Sequence, residues 1–157
     1  MKNQKLFLED EEDTAIELGL IRLAKELPAH ELFFHINAQN AGLNFHRKDD
    51  IHISGLYFTY YHSQFQGYHF ETKNCLRVFS NKSVASLQVQ AQQELFSEEE
   101  EHHYLMPMHK EVDYIIKSSD YIADFSVILL PENIMFPIQP YTLFPNEPLY
   151  DLILYYE

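Results

Sequence analysis

The chain has a single cysteine, four glycines, no tryptophan and no long apolar run. A lone Cys75 cannot close an internal disulfide or supply a thiolate metal site by itself. With so few glycines there is no phosphate loop, dinucleotide fingerprint or Gly-x-Ser-x-Gly elbow. Apolar runs such as Val127–Leu130 stay far short of the about 20 residues that a membrane-spanning helix needs. Basic residues are scarce as well, 11 Lys and Arg against 24 Asp and Glu, for a net charge of −13. Nucleic-acid affinity comes largely from cations neutralising phosphates. A field of the opposite sign argues against nucleic acid and against an anionic membrane surface as partners. The first residues run from Met1 through Leu6-Phe7-Leu8 into the acidic stretch 9–13 and lack the apolar core of a signal peptide. The expected location is the cytoplasm.

What the chain does have is aromatic bulk: 12 Phe and 11 Tyr in 157 residues, within a hydrophobic content of 46%. That composition opposes disorder, and the length suits one domain over 1–157. Residues 5–9 read as a short strand. Residues 14–27 carry two patterns. Ile16, Leu18 and Leu20 alternate as in a strand, whereas Ile16, Leu20, Leu23 and Leu27 share a helical face. Helix formers and a capping box from Thr14 to Glu17 lean toward helix, with strand left open. Pro28 suits the first turn of a helix through Ala41, with Gly42 past its end.

From Leu43 to Ser80 the period changes to two, which predicts an antiparallel meander. Leu56–Tyr61 reads as a strand, Ser63–Gly67 as a turn, and Tyr68–Phe70 and Leu76–Val78 as further strands. The Gln-rich 82–103 segment reads as an exposed insertion, weakly ordered or helical. Val112–Lys117 fits a buried strand, and Ser119 or Asp120 would cap a short helix carrying Tyr121, Ile122 and Phe125. Five of the seven prolines lie in 131–157, which confines strands there to edges and short pieces, with Leu149–Tyr156 as a closing strand. Helices and strands in separate runs predict an α+β fold, a mainly antiparallel sheet of about five strands covered by two or three helices.

The segment Met106-Pro107-Met108-His109-Lys110-Glu111-Val112-Asp113-Tyr114 resembles the signature of the small bacterial family named for its motif IPExxxVDY. Pro107, Val112, Asp113 and Tyr114 match, Met106 replaces Ile, and Met108 replaces Glu. The resemblance extends to Leu32–Asn37, Leu43–Asp50 and Phe79-Ser80-Asn81-Lys82. It implies a small intracellular protein and no particular chemistry, because the family has no established activity. The substitution at Met108 also removes the carboxylate that would make the motif look catalytic.

The motif residues Met106, Pro107, Val112, Asp113 and Tyr114 have a structural explanation. Pro107 makes a rigid entry, Val112 and Ile115 face a core, Tyr114 anchors a ring, and Asp113 accepts backbone N–H groups from a neighbouring turn. As adjacent strand residues, Asp113 and Tyr114 point to opposite faces and do not form an acid–base pair on one substrate. The nine histidines match no established metal-site spacing, so neither metal nor cofactor is expected. Tyr57, Tyr60 and Tyr61 lie in a stretch with large rings on both strand faces, a candidate protein interface. The expectation is a non-enzymatic interaction or regulatory module with a protein partner, by charge a basic one, or a second copy of the chain. The alternative is a small-molecule-binding domain or small enzyme with a pocket near Asp113.

Overall fold

The computed structural model describes residues 14–56, 58–88, 102–120 and 123–155. The strands are β1 (Ile16–Ile21), β2 (Leu43–Ser54), β3 (Phe58–His69), β4 (Asn74–Ser80), β5 (Val84–Gln88), β6 (Tyr114–Ser118) and β7 (Gln139–Leu143). The helices are α1 (Ala29–Gln39) and α2 (Pro148–Tyr155), with a 3-10 turn at Phe125–Val127. Six strands run in the order β2-β3-β4-β6-β1-β7, and β5 pairs separately with β3. Every pairing is antiparallel. The fold is α+β, with a sheet larger than the about five strands that the sequence pattern suggested.

The helical preference of 14–27 loses to pairing. β1 lies between β6 and β7 and bonds to both, and Leu18, Leu20 and Ile21 are buried. A centre strand gains a ladder on each side and burial on each face, which outweighs intrinsic propensity. Gly19 is required there, since a Cβ would sit 2.6 Å from Ile116 Cγ2 and 2.5 Å from Ile138 Cγ2. The turn expected at Ser63–Gly67 is also absent, because β3 runs straight through it. Gly67 stands opposite Phe45, and its missing side chain lets the Phe45 ring lie 2.8 Å from where a Cβ would be.

The C-terminal segment departs in the other direction. Leu149–Tyr156 reads as a strand, yet Pro148–Tyr155 forms α2, with Pro148 in its first turn and Leu149, Tyr150 and Ile153 buried. The preceding β7 contains Pro140 and occupies the sheet edge, where a missing N–H costs no ladder bond. Helix α1 follows Pro28 as its spacing predicts and buries Leu32, Phe33 and Ile36. Its Asn37 side chain bonds both the N–H and C=O of Phe45, fastening the helix to strand β2. Val84–Gln88, expected within an insertion, pairs with β3 as a strand, while 89–101 lie outside the described residues, as do residues 5–9, Tyr57, Tyr121 and Ile122.

Two cores result, one on each side of the sheet. Strand neighbours point to opposite faces, so Val78 and Ile116 pack with α1 while Phe79 and Ile115 pack with α2. The α1 core also holds Phe45, Phe65, Tyr114 and Met135. The α2 core holds Leu18, Leu20, Leu105, Met106, Val112 and Leu143. The segment 105–112 thus serves as part of the cover on the α2 side. No helix among the described residues is long and apolar enough to cross a membrane.

Candidate functional site

Asn81, just after β4, holds the 105–113 segment against the sheet. It is fully buried. Its Nδ2 donates to His109 O and Val112 O at 2.9 and 3.0 Å, and its Oδ1 accepts from Met106 N at 2.7 Å. Its backbone N–H donates to Asp113 O, and its C=O accepts from Leu105 N. Three strangers in sequence, Leu105, Val112 and Asn81, are thereby locked together with no buried side-chain polar atom of Asn81 left unmet. Asn81 belongs to the Phe79–Lys82 stretch that carries part of the family resemblance, but a lone Asn after a strand signals only a turn, so its role was not legible.

Within the motif, Met106 and Val112 are buried and Ile115 completely so. Asp113 Oδ2 accepts from Leu23 N at 2.7 Å, and its own N–H donates to Ile21 O. Partial burial raises its carboxyl above the usual range, and nearby Glu26 adds to this against the Leu23 N–H. Tyr114 points the other way, its ring edge-on to Phe33 at 5.9 Å, and burial pushes its phenol up to about 12. The two groups serve different faces. Around them, Arg22 bonds Glu111 Oε1 at 3.0 Å and Gln139 Oε1 at 2.6 Å, fixing the motif to β1 and β7.

Beside the motif opens a cleft of about 600 Å3. One wall is His103–His109, the opposite wall is Tyr141, Leu143 and Glu147–Leu149 with Leu152 of α2, and Ile53 of β2 completes it. Asp113 and Tyr114 are not among its lining residues. Most of the lining is aliphatic or thioether, and Met108 stands 88% exposed at the position where the resembling family has Glu. The Tyr141 hydroxyl donates to Glu147 Oε1 at 2.6 Å, and that hydrogen bond, with burial, pushes the phenol up to about 12. The other Glu147 oxygen accepts from Phe144 N, so this carboxylate is committed to its own loop.

A second polar feature is a histidine pair. His62 is completely buried in β3. Its Nδ1 lies 2.9 Å from Ser80 O, and a carbonyl only accepts, so Nδ1 carries the proton. Burial above all holds its pKa down at about 4, which leaves Nε2 unprotonated at neutral pH. Nε2 lies 3.0 Å from His103 Nδ1, which must therefore be the donor. By the same accounting His103, whose pKa burial also lowers, keeps its lone pair on Nε2. That atom has no hydrogen-bond partner among the described residues, and His103 lines the cleft. The site offers one oriented acceptor on a wall that is otherwise mostly apolar, with Tyr104 and His109 its other polar residues. Histidine spacing gave no sign of this, because the partner comes from beyond the Gln-rich segment.

Of the tyrosines predicted to form an interface, Tyr60 is 4% exposed and packs its ring 5.4 Å from His103. Tyr61 is half-buried against His52 at 4.7 Å, and Tyr57 lies outside the described residues. The sheet face thus presents no open tyrosine patch among them. No group of three His, Cys, Asp or Glu side chains is brought to metal-binding range among the described residues. Comparison of the chain with protein-family models, curated proteins and solved structures found no match.

Proposed function

We propose that the protein is a non-enzymatic interaction module of the cytoplasm, and that the cleft between the motif segment and α2 receives an apolar segment of a basic protein partner. The observation that carries this reading is the cleft itself: about 600 Å3 of largely apolar space left open beside a completely buried core. Exposed apolar concavities of this kind mark binding sites. Met108, unbranched and solvent-facing, is the adaptable side chain that such surfaces favour. Charge supports a basic partner, since the chain carries −13 overall, and Glu111 and Asp151 are exposed on elements that frame the cleft. We also propose membership of the IPExxxVDY family, on the strength of Pro107, Val112, Asp113, Tyr114 and the upstream segments.

A photo-crosslinker placed at Met108 should capture one basic protein reproducibly, and Leu152→Glu should abolish that capture while the domain stays folded. Capture of nothing specific, or capture indifferent to Leu152→Glu, would remove the reading. A second reading, a small-molecule-binding domain, is favoured by one observation: His103 on the cleft wall, whose Nε2 has no hydrogen-bond partner among the described residues. It predicts a bound apolar compound with a single hydrogen-bond donor in native protein extracted for mass spectrometry.

A further inference from the structure

Most polar groups on the cleft walls are already engaged, and what they leave over specifies what can enter. Tyr141 and Glu147 bond each other, and the second Glu147 oxygen accepts from Phe144 N. The His109 ring stands 3.6 Å from the Glu111 carboxylate, and Lys110 lies over the face of Tyr104. The backbone N–H groups of Leu105, Met106 and His109 are used as well, by Asn81 O, Asn81 Oδ1 and Met106 O. His103 is the exception. Its own N–H donates to Ser83 Oγ and its C=O accepts from Ser83 N, which pins the residue to the chain after β4. Its ring is set by neighbours on the inner side. Tyr60 lies beside it at 5.4 Å, and His62 meets it edge-on at 5.2 Å.

His62 decides which side of the His103 chemistry the cleft meets. Ser80 O only accepts, which puts the His62 proton on Nδ1. The neutral ring then offers Nε2 as an acceptor, and His103 answers with its Nδ1–H at 3.0 Å. Since Nδ1 is directed at a completely buried neighbour, Nε2 lies on the outer part of a ring that lines the cleft. It carries a lone pair and no proton. We propose that His103 makes the cleft selective for an aromatic ring bearing one N–H or O–H donor, so that a tyrosine or tryptophan anchors the partner segment. This anchor presupposes the partner segment proposed for the cleft. A donor-free anchor such as Phe or Leu would bury the Nε2 acceptor unmet, which is costly. A Lys or Arg would shed its hydration against mostly aliphatic and thioether walls. Serine and threonine donate but leave most of the about 600 Å3 unfilled. Tyrosine and tryptophan join a large apolar body to a polar tip, and such side chains dominate binding energy in desolvated pockets. His62 touches no part of the anchor. It is a positioning residue, because it fixes the proton on His103 Nδ1.

Small probes test the site on the full chain without the partner: para-propylphenol against its methyl ether, and skatole against N-methylskatole. Each donor should bind about tenfold tighter than its methylated counterpart in calorimetric titration. His103→Phe should bring each pair to about equal affinity. Nitrogen NMR of the wild-type imidazoles should show His103 Nε2 unprotonated, and shifted by the phenol but not by the ether. In His62→Leu nothing fixes the His103 tautomer, so para-methylacetophenone, which only accepts, should gain several-fold in affinity. A merely structural His62 would produce no such gain. Methylated probes binding as tightly as the donors, a preference that survives His103→Phe, or no binding by any probe would overturn the assignment. Probe preference with no protein captured at Met108 would remove the partner reading and leave the selectivity of the site standing. A captured segment that contains no Tyr or Trp would do the reverse.

Discussion

On the α1 side of the sheet, Phe33 stacks on Phe65 at 3.9 Å and meets Phe45 at 5.4 Å; the void beside these rings is about 10 Å3, and a cleft of about 380 Å3 lies only at the margin, by Phe125, Ile128 and Ile138. On the α2 side a shorter helix and a loop held by one asparagine cover the strands, and a cleft of about 600 Å3 remains open. Interiors pack like crystals of small organic molecules, and unfilled apolar space forfeits dispersion and hydrophobic stabilisation. One face is therefore built for stability, whereas the other gives some of it up to keep a concave apolar surface available. Long helix against short helix, and aromatic stack against polar staple, account for the difference.

The contrast can be broken at each of its parts. The largest effect should come from Phe33→Ala, which empties the filled face and should cost about 3–5 kcal/mol by urea unfolding. A loss below that of an exposed-site substitution would mean that the stack contributes little. Next comes acid. His62 takes up its proton only near 4 in the folded chain but near 6.5 when unfolded. Between those values the unfolded state binds more protons, so stability should fall as pH drops through this window, by about 3 kcal/mol in total. His62→Gln should lose correspondingly less than the wild type on going from pH 7 to pH 4, and parallel losses would show that the histidine is not held neutral.

Asn81→Ala tests the staple. It strips partners from Met106 N, His109 O and Val112 O and should cost about 2 kcal/mol. Faster amide exchange should be concentrated at Leu105–Val112 and spare α1; uniform acceleration would mean that the loop and the filled face unfold together. The smallest effect on stability, within about 0.5 kcal/mol, should follow Met108→Glu, since that side chain already faces solvent. The same change should nevertheless weaken co-purification of the partner bound at the cleft.

Much of this architecture can be read from local pattern. Helix α1, the meander β2-β3-β4 and the buried β6 follow from periodicity and from Pro28, since each expresses its period over enough residues. Val112 is buried, and Asp113 accepts the backbone N–H of Leu23. The misreadings cluster where long-range pairing overrides a local signal. Gly67 looks like a turn residue but answers to Phe45 across the ladder. Thr14–Leu27 looks helical but has β6 and β7 waiting on either side. The last residues look extended and instead fold back as α2, because Leu149, Tyr150 and Ile153 find a core on one side only.

The cleft and the paired histidines belong to the same class. His62 and His103 are separated by the Gln-rich stretch, and their 3.0 Å contact depends on how the chain returns after β5. Arg77 and Lys117 are likewise opposed only by register. Composition and period by themselves determined an acidic, aromatic-rich α+β chain with a buried motif strand, because those properties depend on residue type and near neighbours. Which cations meet, which histidine keeps its lone pair and where apolar surface stays uncovered were decided by the tertiary structure, since each is a relation between residues that only strand pairing brings within contact.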